Sequence, residues 1–292
     1  MNLEHLKKYN HIYVIGHNNP DIDTLASSIL IRDILRKNNI NADFAVIEGN
    51  ELKNSNIKNA KSLFNEEPIE IKKDEIKNYK YFLVDHNDLN QSVKDESLVV
   101  ECIDHHLAVS DLKYHYGDVS ACALLIYDMF KGVYEFNDYQ KKLIFWSFLS
   151  DTNFGRSSRY NEIDKKLISE LGYKTNYDEY FENHFYETKI NEKSFETNGY
   201  KDISLNGDFF KGTYINALSS DNMFQYKSFV ENHKDNFIGM WMDFKNNKTY
   251  TFVKYNENLY ELNYDYIASR ATDVMPDVAK ILLKGWYYGY NF

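Results

Sequence analysis

Four short polar clusters hold the residues with which this chain could do chemistry: His17-Asn18-Asn19-Pro20-Asp21-Ile22-Asp23, Asp85-His86-Asn87, Asp104-His105-His106 and Ser150-Asp151-Thr152. Four of the nine histidines fall within them, and three of the clusters pair at least one carboxylate with at least one imidazole. Read singly, an aspartate after a strand is a helix cap, and Asp23, which opens a helical stretch, could do that job. Gathered at one edge of one sheet, however, these carboxylates would repel one another strongly unless cations neutralised them. Mixed imidazole and carboxylate ligands suit Mn²⁺, Co²⁺ or Zn²⁺ better than Ca²⁺. Six candidate ligands leave room for two ions a few ångströms apart, the arrangement that steadies the attacking and leaving oxygens of a phosphoryl transfer.

The elements around the clusters are predicted to position them in this way. "HIYVIG", "ADFAVIE", "YKYFLVD" and "SLVVECID" read as strands, and "DTLASSILIRDILRKNN", "SACALLIYDMFKGV" and "YQKKLIFWSFLSD" as helices. Strands alternating with helices imply right-handed crossovers and a parallel sheet covered on both faces. The first, third and fourth of these strands end in a polar cluster, and open parallel sheets bind ligands at the carboxyl ends of their strands. Residues 172–197 are aromatic and charged without clean periodicity and are read as a helix followed by a linker near residue 190. Beyond it the pattern changes to hairpins turning at Asn206-Gly207 and Asn246-Asn247, with a helix near 274–284. The expected architecture is α/β: a parallel-sheet domain over residues 1–188 and a smaller α+β domain over 189–292, with the active site in the cleft between them.

Composition narrows the class. The 292 residues, 43% hydrophobic with 25 Tyr and 19 Phe, can bury a substantial core. A formal charge of −10 disfavours a nucleic-acid partner, because there is no basic excess to release counterions. The two cysteines, Cys102 and Cys122, are too few for a disulfide framework and read as reduced thiols of a cytoplasmic protein. "MNLEHLKKYNHIYVIGH" does not read as a signal peptide. "LIFWSFL", the longest strongly apolar run, is far short of the roughly 20 residues that cross a bilayer, so no membrane is expected.

"GHNNPDID", "VDHNDLNQS", "DHH" and "SDT" resemble the four motifs of the DHH phosphoesterase superfamily, most closely those of its family II inorganic pyrophosphatases, which depend on manganese or cobalt. Residues 17–23 fit the first motif, His-x-Asn-Pro-Asp-x-Asp, throughout, and Val84-Asp85-His86-Asn87 with Gln91-Ser92 fits the second. The resemblance is strong over the first 155 residues. It implies a DHH domain followed by a DHHA2-type domain, with two Mn²⁺ (or Co²⁺) ions per active site. Pyrophosphate would be hydrolysed to two phosphates by a water activated between the ions, with Mg²⁺ arriving on the substrate. His17 and Asp21 would bind one ion, Asp23 and His105 the other, and Asp85 and Asp151 would bridge both or complete their shells. His106 would face the substrate. His86 would sit behind the ligands and contribute to the substrate side, and Asp104 would hold the imidazole of His105 or His106. The family is often dimeric through the edge of its first domain, which makes a homodimer the expected assembly.

The resemblance thins in the second domain. The family's mark there is Ser-Arg-Lys-Lys-Gln followed by a Pro-containing helix, and this chain has "ASRATDVMPDVAKIL": Ser269, Arg270 and Pro276 fit, while Ala271 and Thr272 replace the lysines. Lys201 matches another lysine of that domain. Arg270 and Lys201 are therefore the expected substrate cations, with Arg156 or Lys211 as substitutes for the missing ammonium. The departure leaves other readings open: an exopolyphosphatase or nucleotide phosphoanhydride hydrolase, a phosphodiesterase of the same superfamily, or a non-catalytic metal-binding regulatory homologue. A Gly-Gly-Gly-His run typical of the phosphodiesterases is not present.

Overall fold

The structure is a computed structural model. It describes residues 1–49, 63–109, 111–152, 154–156, 159–173, 190, 192–197, 200–205, 207–217 and 220–288. It divides into two compact units, Met1–Gly155 with Tyr160–Asn176, and Arg156–Arg159 with Tyr177–Phe292. The boundary expected at 188/189, the helix expected over most of 172–189 and the turn residue Asn206 lie outside the described residues.

The first unit is built on six strands, β1 (Ile12–Ile15), β2 (Ala42–Ile47), β3 (Ile69–Ile71), β4 (Tyr81–Val84), β5 (Val99–Asp104) and β6 (His115–Tyr116), in the order β3-β2-β1-β4-β5-β6. Every neighbouring pair is parallel. The chain runs outward from β1 through β2 to β3, then returns to lay β4 on the other side of β1, so the direction of winding reverses between β1 and β4. Crossovers leave that point on opposite faces and open a crevice beyond the carboxyl ends of the two strands. β3 and β6 are additions to the sequence expectation. With three and two residues, they carry almost no periodic signal.

Helix α1 (Ile22–Lys37) runs from that crevice and has thirteen buried positions among its sixteen residues, since the sheet lies on one side and further helices on the other. Its cap is Asp21, which has extended backbone and accepts the Thr24 amide at 2.9 Å. Asp23 does not cap it, because it already lies inside the first turn. The covering helices are α2 (Cys122–Phe130), α3 (Asp138–Asp151) and α4 (Glu162–Leu171). Capping boxes open α3 (Asn137 with Gln140) and α4 (Asn161 with Asp164), and Gly172, at φ +66°, ends α4 in the left-handed conformation usual after a helix.

The second unit is a five-stranded sheet, β7 (Lys201–Leu205), β8 (Asp208–Ala217), β9 (Phe237–Asp243), β10 (Lys248–Tyr255) and β11 (Asn258–Tyr264), in the order β11-β10-β9-β8-β7. The two expected hairpins pair as β7–β8 around Gly207 (φ +91°) and β9–β10 around Asn247 (φ +53°). β8 and β9 are parallel and are joined through α6 (Met223–Glu231), which follows the short α5 (Glu192–Thr197). β9 is buried at every position because both faces are covered. Phe195, Tyr226 and Val230 pack on one side and Val274, Val278 and Leu282 on the other, the last two from α7 (Met275–Tyr288).

Candidate metal centre

The register of the first sheet brings the clusters together. Ile15 pairs with Leu83 and Val84 with Ile103, so the chain leaves β1, β4 and β5 at adjacent points of one edge. Two departures from regular backbone aim the side chains. Asn19 has φ +56° and Asp85 φ +62°, both left-handed. Asn and Asp are the residue types that tolerate this conformation, which costs a bulkier residue on the order of 1 kcal/mol or more. Gly16 is required by a close approach: a Cβ there would lie 2.0 Å from Thr24 Cγ2. That packing holds Thr24, whose hydroxyl donates to Asp85 Oδ2 at 2.7 Å.

Asp85 occupies the centre. Its Oδ2 lies 3.5 Å from His17 Nε2, which is also 3.6 Å from Asp21 Oδ2. Its Oδ1 lies 3.3 Å from His105 Nε2, which is also 3.7 Å from Asp151 Oδ2 and 3.9 Å from Asp23 Oδ2. Two constellations with donor atoms within 4.8 Å of one another therefore flank one carboxylate: His17, Asp21 and Asp85, and Asp23, His105 and Asp151. The first ends β1 and opens α1, with Asp85 supplied by β4. The second draws on α1, β5 and the last residue of α3.

Each ligand-type side chain is held from behind. The His17 Nδ1 contacts the Asn18 carbonyl at 2.8 Å and the His105 Nδ1 the Val119 carbonyl at 3.0 Å, which directs both Nε2 atoms at Asp85. Asp23 accepts the amides of Cys122 (2.6 Å) and Ala123 (2.9 Å) at the start of α2, where the helix dipole favours negative charge. Asp104 takes His106 rather than His105: its Oδ1 meets His106 Nδ1 at 2.8 Å and the His106 amide at 3.1 Å. Asn87 donates to Asp104 Oδ2 at 2.6 Å and to the Leu107 carbonyl at 3.1 Å, and accepts the Val109 amide at 2.8 Å.

Proton affinities reflect this crowding. Burial alone would lower the His17 imidazole, but Asp21 and Asp85 outweigh it and hold its pKa well above the ordinary value. His105 is likewise depressed by burial and carried past it, by Asp85 first and then Asp23 and Asp151, to about 9. Burial and then the charges of Asp85 and Asp151 push Asp23 up, whereas the two histidines overcome burial to pull Asp85 well down. A set of this kind fits divalent cations. The four aspartates, with both imidazoles neutral, carry the charge that two such ions would cancel. Asp85 Oδ1 is buried yet accepts no hydrogen bond among the described residues.

The other expected site residues fall elsewhere. His86 is buried, and both its ring nitrogens are engaged, with the Val84 carbonyl at 2.9 Å and Ser92 Oγ at 2.7 Å. It braces the turn that carries Asp85 and has no nitrogen to offer a substrate, which corrects the substrate-side part of its expected role. His106 is half-exposed, and its ring centroid is 4.2 Å from that of His105. Arg270 and Lys201 belong to the second unit. Arg270 begins a π-helical turn, Arg270–Val274, just before α7, with its guanidinium 5.7 Å from the Tyr214 ring centroid and its pKa lowered by burial. Lys201 is exposed at the start of β7. Of the substitutes, Lys211 is paired with Asp235 at 2.7 Å, and Arg156 donates to the Phe244 carbonyl at 2.7 Å. Thr24, Asn87 and Gly16 went unassigned in the sequence. Their one signal was their place in or beside the polar clusters.

A family model described as "DHH family, N-terminal domain" matches residues 11–148, the stretch that carries β1 through most of α3. Over that stretch, just under half of the chain, the sequence is similar to the DHH family. Among curated relatives, a manganese-dependent inorganic pyrophosphatase of Bacillus subtilis is 34% identical over 130 residues, 41% of this chain and 40% of its own length. The chain spans about half, or less, of the curated relatives it matches. In structure, a "putative family II inorganic pyrophosphatase" from Methanococcus jannaschii superposes with a TM-score of 0.66 at 18% identity, covering 92% of this chain and 98% of that one. An exopolyphosphatase-related protein from Bacteroides fragilis gives 0.50 at 13% identity, covering 86% and 81%. These two likenesses show the two-domain α/β fold. Among the described residues, no helix is long and apolar enough to cross a membrane.

Proposed function

We propose that this chain hydrolyses a phosphoanhydride, with inorganic pyrophosphate as the first candidate, using two Mn²⁺ or Co²⁺ ions held at the carboxyl edge of the first sheet. The observation that carries the reading is Asp85, whose two oxygens face two different histidines, each backed by further carboxylates. His17, Asp21 and Asp85 would hold one ion, and Asp23, His105 and Asp151 the other, with Asp85 shared. Such ions, when bound, lower the pKa of a water and neutralise phosphoryl oxygens. The chain's own residues do the rest. The Asn18 and Val119 carbonyls fix the tautomers of the two ligand histidines. Asp104 orients His106 through Nδ1, so the opposite nitrogen bears a proton for the departing phosphate when the ring is cationic. Arg270 and Lys201 supply positive charge to the substrate, which brings its own Mg²⁺.

The similarity to a manganese-dependent pyrophosphatase supports this substrate. A second reading, an exopolyphosphatase, draws on Ala271 and Thr272, which replace two lysines and leave a less cationic substrate side. Phosphate release from pyrophosphate, tripolyphosphate and longer chains, each with Mn²⁺, Co²⁺, Mg²⁺ and Zn²⁺, separates the two. Turnover highest on pyrophosphate with Mn²⁺ or Co²⁺ is expected. A rate rising with chain length favours the second reading, and none above a metal-only blank removes both.

A further inference from the structure

Asp164 is fully buried although it lies in the first turn of a helix, where its partner in the capping box, Asn161, already caps the amides of Ile163 and Asp164. A capping box needs only a polar side chain at this position, usually Glu or Gln at the surface. The other box in the unit uses the neutral Gln140. Burying a carboxylate instead is costly without a partner. One Asp164 oxygen closes the box by accepting the Asn161 amide at 3.0 Å. The other reaches across 44 residues to accept the Ser120 amide at 2.9 Å. That N–H shares a peptide group with the Val119 carbonyl, the acceptor of His105 Nδ1 at 3.0 Å.

We infer that Asp164 is a positioning residue for His105, acting through the single Val119–Ser120 peptide. A carboxylate on the N–H end of a peptide polarises its carbonyl, and hydrogen bonds in such a chain strengthen one another. The polarised carbonyl holds the proton on Nδ1 of the neutral ring and makes the lone pair of Nε2, on the side of Asp85, Asp23 and Asp151, more basic. It does through a peptide what a carboxylate against a metal-bound histidine does directly. The same segment continues into Cys122 and Ala123, whose amides hold Asp23. One carboxylate outside the cluster thus anchors the loop that orients two members of one constellation. The other, His17 with Asp21, is arranged by Asn18 and Thr24 at the start of α1.

The inference rests on reading Asp23, His105 and Asp151 as an ion site, and its test keeps the two apart. Full-length protein, Asp164→Ala and Asn161→Ala are titrated with Mn²⁺ by calorimetry, and the ¹⁵N spectrum of the imidazoles is recorded without metal at a pH above the raised His105 value, where the ring is neutral. Both variants lose a cap, so both are expected to melt at lower temperature. Only Asp164→Ala should weaken one of two binding events, by roughly ten- to a hundredfold, and shift the His105 nitrogens away from the Nδ1–H form. Asn161→Ala should retain both events and the parent spectrum. If Asp164→Ala binds both ions as the parent does, or if Asn161→Ala reproduces its losses, the inference is overturned. A parent that binds no ion overturns the metal reading along with it, while the imidazole spectrum still decides the tautomer.

Discussion

The two units hold their candidate site charges in different ways. In the first, Asp23, Asp85 and His105 are buried together at one edge of an all-parallel sheet. In the second, a cation, Arg270, is half-buried against Tyr214 beside a sheet that is antiparallel in all but one pairing. The difference follows from strand direction. Parallel strands all end on the same edge, so polar residues that follow each strand meet whatever their separation in sequence. Antiparallel strands end alternately on both edges and converge on nothing. The proposed substrate cation there sits instead at a local irregularity, the π-helical turn Arg270–Val274, a distortion often found at functional sites. The first unit therefore carries a site distributed over many elements, and the second presents single residues.

Asp85→Ala tests the distributed half of this contrast and should have the largest effect. Removing the shared carboxylate is expected to cost more than about a hundredfold in Mn²⁺ affinity, beyond the range for residues that merely support ligands, and to abolish hydrolysis. Metal analysis after loading and a phosphate-release assay check this. The apo variant should melt at a lower temperature than the parent, because alanine is strained at φ +62° and the ionised carboxylate that His17, His105 and Thr24 hold is lost. Two retained ions would break the comparison.

Arg270→Ala addresses the second unit. A charge-assisted contact contributes roughly 1.5–3 kcal/mol, so kcat/KM for pyrophosphate should fall about ten- to a hundredfold with Mn²⁺ stoichiometry unchanged. A change in stoichiometry would show that the two regions are not separable. A third test is pH dependence. Ion binding at His105 Nε2 needs the neutral ring, yet the surrounding carboxylates hold its pKa at about 9. At pH 7 a proton must therefore leave. Mn²⁺ affinity should rise with pH, by up to about tenfold per unit for each proton displaced, until the pH passes the raised value. Titration in buffers of different ionisation enthalpy should show net proton release. The smallest effect is expected for Lys211→Ala. Its ammonium is occupied by Asp235 at an exposed site, and kcat/KM should match the parent.

The same contrast explains what could be read from the sequence. The clusters at residues 17–23, 85–87 and 104–106 were legible because each follows an apolar run and because parallel topology sends such residues to one edge. Asp151 was legible through its motif, although it ends a helix. The parallel β8–β9 pair was not, since it requires the crossover through α6, and the β10–β11 turn at Asn256-Glu257 lacks the glycine that marks hairpins. Nor were the roles of Thr24, Asn87 and Asp164. Each acts on a partner 17 to 61 residues away, through a hydrogen bond that no local pattern encodes. His86 shows the converse: its motif suggested contact with substrate, but Val84 and Ser92 take both its nitrogens.

The winding order of the first sheet has a consequence for biosynthesis. As the chain leaves the ribosome, His17, Asp21 and Asp85 are all present once β4 has emerged, whereas Asp23 and His105 wait for the final residue of α3 at position 151. At ~5–20 residues per second that interval is several seconds. The two candidate nests are completed one after the other, and the later one cannot close until α1 to α3 have been laid down, with α4 and its Asp164 still to emerge.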